Sequence, residues 1–230
     1  MERKFHQELE KLKQDLLRMA SLVEHAIADS VKSLVERDTD LAYRVIEGDH
    51  EIDTMEMKID EQCLRLLALR QPMAGDLRFI TSAMKIITDL ERMGDQAVNI
   101  ANRAISLNRE PLLKPLIDIP RMARLAQSMV KDSLDAFVNQ DPDLALSVCQ
   151  RDDEVDHLND QVFRELLIFM LQDPSTISRA LQLIFFGHQI ERIADHSTNI
   201  AESVIFMVKA QVIKHRGGQK KGYKKHREVE

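Results

Sequence analysis

The segment LERMGDQAVNIA, Leu90 to Ala101, returns 100 positions later as IERIADHSTNIA, Ile190 to Ala201. Six of the twelve positions are identical, and four of those six are polar: Glu91/Glu191, Arg92/Arg192, Asp95/Asp195 and Asn99/Asn199. A repeat kept only for packing would preserve its apolar positions, because those alone must interdigitate; a preserved polar set asks for a chemical reason. The shared pattern is a Glu-x3-Asp-x3-Asn ladder.

Working outward, Arg18 to Asp53 matches Arg121 to Asp156 at an offset of 103. RMASLVEH faces RMARLAQS, VERDTDLA faces VNQDPDLA, and Asp49, Glu51 and Asp53 face Asp152, Glu154 and Asp156. The chain therefore reads as two copies of one unit, the second three residues shorter between its middle and last segments. Breakers at Asp38-Thr39-Asp40, Pro72 to Gly75, Pro111 to Pro120, Asp141-Pro142-Asp143 and Asp173-Pro174 divide it into six long segments. Within them apolar residues recur at threes and fours, as in Leu41, Val45, Ile52, Met55, Ile59, Cys63 and Leu66, and nothing reads as a strand. The expected fold is all-α: six long antiparallel helices in two tandem, pseudo-symmetric three-helix bundles. The expected boundaries are residues 1–110, 111–213, and a basic tail over 214–230.

Composition narrows the function. With 44% hydrophobic and 30% charged residues over 230 positions, the chain has enough apolar material for a sizeable core. No apolar run approaches the roughly 20 residues of a membrane span, and MERKFHQELEK lacks the apolar stretch of a secretory signal, so a cytoplasmic location is expected. Cys63 and Cys149 each align with an aliphatic residue of the other copy, Leu166 and Ile46, which points to packing rather than a disulfide or a metal. The formal charge of −6 is uneven: Lys214 to Glu230 holds seven Lys/Arg against two Glu, leaving −11 on the rest. With three glycines and no apolar period, that tail reads as a solvated segment, and one short basic run is no argument for nucleic acid.

On its helix, Glu91 falls inside a stripe otherwise made of Ile80, Met84, Ile87, Gly94, Val98 and Ala101, and Glu191 falls between Ile184, Gly187, Ala194 and Thr198. Asp95 and Asn99, and Asp195 and Asn199, follow at four-residue steps along the flank. A carboxylate in an apolar stripe costs several kcal/mol unless it finds a cation, a hydrogen-bond network or a proton. Two partners stand open: an arginine in a structural ion pair, or a metal. The metal reading draws on a second acidic pair of the neighbouring helix, Asp49 with Asp53 and Asp152 with Asp156, giving four carboxylates to each site. Such oxygen ligands suit Mg, Mn or Fe.

Carboxylates on a bundle also admit a di-metal enzyme, and Glu47 to His50 and Glu154 to His157 have the Glu-x-x-His spacing. Those two do not correspond under the repeat: His50 aligns with Asp153, and His157 with Thr54. No nucleophile motif, phosphate loop or dinucleotide fingerprint is present. Nothing beyond the carboxylates themselves supports catalysis, and a carboxylate-bridged di-metal enzyme stands as the alternative reading.

LERMGDQAVNIA and IERIADHSTNIAES, with LRLLALRQPMAGDLRFITSAMKIITD, resemble the PhoU family of phosphate-signalling regulators from about Phe5 to Ala210. The resemblance implies two symmetric three-helix bundles and a negative regulator of the phosphate-starvation response that modulates phosphate uptake. It implies a cytoplasmic adaptor between the ATPase of a phosphate ABC transporter and a sensor histidine kinase, at the membrane only through those partners. A homodimer is expected, and no nucleic acid. It further implies metal binding, by Fe, Mn, Mg or Zn, through E/D-x3-D motifs that map onto Glu91 with Asp95, Glu191 with Asp195, Asp49 with Asp53, and Asp152 with Asp156. The family's Asp-His is Asp195-His196 in the second copy but Asp95-Gln96 in the first, which implies two sites of unequal affinity.

Overall fold

The computed structural model describes residues 2–213, so the basic tail over 214–230 lies outside the described residues. Six helices run in order: α1 Glu2–Val35, α2 Thr39–Arg70, α3 Ala74–Asn108, α4 Asp118–Asn139, α5 Pro142–Gln172 and α6 Ile177–Lys209. A single 3₁₀ turn, Pro174–Thr176, leads into α6. The described residues form no strand.

The breakers act as the sequence predicts. Asp38 caps α2 by accepting from the Leu41 N–H at 2.9 Å, and its repeat mate Asp141 caps α5 by accepting from Asp143 and Leu144 at 2.9 and 3.0 Å. Pro142 takes the first turn of α5, where a missing N–H loses nothing. Gln71 and Gln140 end α2 and α4 in the left-handed region, at φ 47° and 52°. The linker between the copies is pinned by Lys114, buried against Glu165 and Asp118, and by Arg37, which donates to the carbonyls of Asn108 and Glu110.

Helices α1 to α3 form one bundle and α4 to α6 the other; α3 and α6 pack along each other between them, and α1 also touches α4. Helix α2 packs only on α1 and α3; α5 packs on α4 and α6 with its 3₁₀ turn. The apolar core is continuous through both bundles, with Leu16, Met19, Ile59, Leu90, Phe137 and Phe186 fully buried. Cys63 and Cys149 lie in it as free thiols.

The seam between the bundles is partly polar and follows the repeat. Ser82 donates to the Ser203 carbonyl at 3.3 Å, and the equivalent positions, Gln182 and Arg103, hydrogen-bond at 2.9 Å. The rings of Phe79 and Phe137 stack at 5.4 Å across it. The central helices are thus locked together, and the two grooves between a central and an outer helix, α2–α3 and α5–α6, hold the acidic residues.

Candidate functional site

The eight predicted carboxylates divide between those two grooves. Asp49 and Asp53 on α2 meet Glu91 and Asp95 on α3, while Asp152 and Asp156 on α5 meet Glu191 and Asp195 on α6. Asp49, Glu91, Asp152 and Glu191 are half-buried, and Asp53, Asp95, Asp156 and Asp195 stand at the exposed rims. Close approach of α2 to α3 is permitted at Gly94, where an added Cβ would sit 3.1 Å from both Asp49 Oδ1 and Ile52 Cδ1. Gly187 plays that part in the second copy against Asn159 Oδ1, at 3.0 Å.

The carboxylates repel one another. Burial first, then the charges of Asp53 and Asp95, push the Asp49 carboxyl up to about 6. Asp152 is pushed up to about 7 by burial and then by Asp195, Asp156, Asp153 and Glu191. Glu91 is raised by burial, Asp95, Glu56 and Asp53, and Glu191 by burial and Asp195. Asp156 and Asp195 are raised as well, each mainly by desolvation; Asp195 reaches the surface, but its carboxyl is crowded by protein on the inner side.

Structural ion pairing does not relieve this. Among the described residues no lysine or arginine lies within ion-pair distance of any of the eight. The nearby arginines serve other acids: Arg18 pairs with Glu51 at 3.0 Å, and its repeat mate Arg121 with Glu154 at 3.5 Å. The one basic contact is His188 Nδ1, 2.6 Å from the buried Glu191 Oε2, and it offsets part of that carboxyl's upward shift. Asp152 Oδ1 is buried without a hydrogen-bond partner. A buried carboxylate oxygen without a partner is what a hard cation would satisfy, so the donor set fits Mg, Mn, Fe or Zn. The oxygens nevertheless stand apart: among the described residues no three His, Cys, Asp or Glu side chains are gathered closely enough to hold a metal ion. Mutual repulsion favours that separation, and the four rim carboxylates are exposed.

Two readings change. The third rung of the ladder leaves the acidic groove: Asn199 donates through Nδ2 to Asp89 Oδ1 at 3.1 Å, across the seam. His196 is buried there too, with Nδ1 2.9 Å from the same Asp89 oxygen. Under the repeat the mates of Asp89 and His196 are Gln189 and Gln96, both buried with an unpartnered amide oxygen. The Gln96/His196 difference therefore acts from the seam and not from within the acidic grooves. His50 also points away, its Nδ1 held 2.8 Å from the Glu47 carbonyl, so the first Glu-x-x-His spacing assembles no site.

Glu56 was not among the sequence candidates. Its carboxyl is raised by Asp53, Asp60 and Asp95 after burial, and it in turn raises Glu91, which puts it in the first groove. The signal was present as the Asp53-x-x-Glu56 spacing on the face of Asp49. Its repeat mate is Asn159, so the second groove carries an amide there.

Comparison with known proteins bears on this geometry. A family model described as PhoU domain matches twice, at residues 16–104 and 119–204. The phosphate-specific transport system accessory protein PhoU homolog of Aquifex aeolicus is 45% identical over 219 residues, 95% of this chain and 99% of that protein. The accessory protein PhoU of Escherichia coli is 38% identical over 217 residues, 93% of this chain and 89% of its own. The crystal structure of PhoU from Pseudomonas aeruginosa superposes with a TM-score of 0.88 at 45% identity, over 90% of this chain and all of that one. The phosphate transport system regulatory protein PhoU from Streptococcus pneumoniae gives 0.84 at 30% identity, over 92% of this chain and all of that one.

Proposed function

The chain belongs to the PhoU family, and on that footing we propose that it is an accessory and regulatory protein of a phosphate transport system. Its relatives carry that description along nearly their whole length, as this chain does. In finer terms it is a cytoplasmic, non-enzymatic negative regulator of the phosphate-starvation response, acting as an adaptor between a phosphate ABC transporter and a sensor histidine kinase. No helix among the described residues is long and apolar enough to cross a membrane, so attachment to a membrane complex would run through partners.

The observation that carries the reading is the pair of acidic grooves, each with two half-buried carboxylates that no lysine or arginine neutralises. Glu91, Asp95, Asp49 and Asp53 would hold a metal on one side, and Glu191, Asp195, Asp152 and Asp156 on the other. A bound cation would cancel the repulsion between α2 and α3 and between α5 and α6 and so stiffen both outer hairpins. A stiffened outer surface is one a partner recognises without ordering it first.

Deletion should derepress phosphate-scavenging genes at high phosphate, read with a phosphatase reporter. Unchanged repression in the deletion strain removes the regulatory reading. Metal content of the purified protein, measured beside a Glu91→Ala/Glu191→Ala variant, tests the grooves: the variant should lose most bound metal, and equal content in the two rejects these ligands.

A further inference from the structure

The α5–α6 hairpin does not stop being unusual where its acidic residues end. Toward the hairpin tip α5 presents Phe163, Leu167 and Leu171, and α6 presents Ile177 and Leu181, each between 41 and 77% exposed. The contact of Gly187 with Asn159 fixes the antiparallel register, so that Leu171 lies across from Ile177, Leu167 from Leu181, and Phe163 from half-buried Ile184. These positions line one groove, and the same groove continues into Asp160, Asp156 and Glu191.

The repeat supplies an internal control. The mates of Phe163, Leu171 and Leu181 in the first copy are Asp60, Ala68 and Thr81, whereas those of Leu167 and Ile177 are Leu64 and Leu77, also exposed. The fold therefore does not require large apolar groups at the first three places, and it is these that make the second hairpin the more apolar of the two. Their combined exposed surface is roughly 400 Å², in the range that marks interaction sites on single-chain proteins.

We propose that this groove receives an amphipathic helix of a partner protein, its apolar face on Phe163, Leu167, Leu171, Ile177 and Leu181 and its Lys or Arg residues over Asp153 and Asp160. Three arguments select that occupant. The hairpin surface is apolar at one end, with exposed residues at four-residue steps on both helices, the spacing that takes residues at i, i+3/i+4 and i+7 of a single helix. It is acidic at the other end, where Asp153 and Asp160 are exposed two turns apart on one stripe of α5. Arg164 is the only Lys or Arg between residues 153 and 172. A second copy fits less well, since it brings the same acidic strip, and the patch is about half the roughly 800 Å² per partner of a standard interface. The charge over the described body also favours a basic ligand, because residues 1–213 carry −11. The proposal rests on the adaptor reading above for the class of partner, a helical segment of a transporter or kinase protein.

The test is photo-crosslinking in cells, with a benzophenone amino acid at Leu167 or Leu181 and, as controls, at the first-copy mates Leu64 and Thr81. Cross-linked peptides are then sequenced. The expected product is a segment of another protein with the i, i+3/i+4, i+7 apolar pattern and Lys or Arg at one end. A synthetic peptide of that segment should bind the purified full chain. Phe163→Asp/Leu181→Asp should weaken that binding at least about 10-fold, and Asp153→Asn/Asp160→Asn should weaken it while flattening its salt dependence, neither with a loss of thermal stability. Cross-links to a second copy of this chain, equal yields at Leu64 and Thr81, or a segment without the pattern would each overturn the proposal. Phosphatase repression that persists in a Phe163→Asp/Leu181→Asp strain whose peptide binding is lost would instead count against the regulatory reading and leave the groove standing.

Discussion

Replacing Asp152 with asparagine should make the metal-free protein more stable, not less. The Asp152 carboxyl moves from 3.8 in the unfolded chain to about 7 in the fold, chiefly through burial and the charges of Asp195 and Asp156. A shift of that size corresponds to about 4 kcal/mol; the half-buried side chain keeps some solvent, and screening reduces this to about 2 kcal/mol. The sign follows from proton binding. Between pH 3.8 and about 7 the folded state holds a proton that the unfolded state has lost, so this group's contribution is fully present below 3.8 and is lost as the pH rises through about 7. Asp152→Asn removes the charge and so removes that loss. In EDTA at pH 7.5 the variant should melt about 4–8 °C above the parent, by circular dichroism, taking 2–4 °C per kcal/mol for a chain of this size. At pH 4 the difference should close. With Mn²⁺ at a hundredfold its dissociation constant the parent gains about 2.7 kcal/mol that the variant does not, and the order inverts. A variant no more stable than the parent at pH 7.5 in EDTA, or a gap that stays open at pH 4, would refute the reasoning.

Gly94→Val should destabilise by about 1–3 kcal/mol, because its Cβ would meet Asp49 Oδ1 and Ile52 Cδ1 at 3.1 Å and its branches have nowhere to turn; a urea midpoint equal to the parent's contradicts the close approach. His196→Ala strips the Asp89 carboxylate of its imidazole partner at 2.9 Å, so it should lower stability by about 1–3 kcal/mol while leaving metal content unchanged. Loss of metal in that variant would return His196 to the acidic groove. Burial pushes both thiols, Cys63 and Cys149, up to about 12, so a disulfide reagent at pH 8 should label neither in the native protein and both in guanidinium; fast native labelling of either would show that the core opens there.

The fold was legible because each stop carries its own mechanism. Asp38 and Asp141 cap, Pro142 and Pro174 fix a first turn, and the apolar spacing does the rest, so α2 runs Thr39–Arg70 between breakers read directly from the sequence. The gathering of the eight carboxylates into two grooves was legible because Glu91 and Glu191 fall in apolar stripes and the aspartates follow at four-residue steps. Glu56 was missed because its sequence neighbours Met57 and Lys58 are exposed and only the proximity of α3 gives it meaning. The destination of Asn199 and His196 was not legible either, since it depends on how the two bundles dock, and no spacing within one helix encodes that.

Helix geometry explains why one ladder serves two interfaces. Each rung is four residues on, which is about 400° of rotation, so successive rungs drift by about 40° around the axis. From Glu191 to Asn199 the drift is about 80°, enough to carry the side chain from the α5 side of α6, where Glu191 faces Asp156, to the α3 side, where Asn199 reaches Asp89. The preserved polar set is therefore two functions on one helix: Glu191 and Asp195 charge the outer groove, and His196 and Asn199 fasten the seam. The two are mechanically joined, because the residue following each groove aspartate, Gln96 or His196, is buried in the seam. Any cation that drew Asp95 or Asp195 inward would pull on the helix that holds the bundles together. In the second copy it would pull on a hydrogen-bonded Asp89–His196 contact, whereas in the first the mate of His196, Gln96, is buried with an amide oxygen that has no partner. The first copy has less to lose there, so a cation in the first groove would meet less resistance than one in the second.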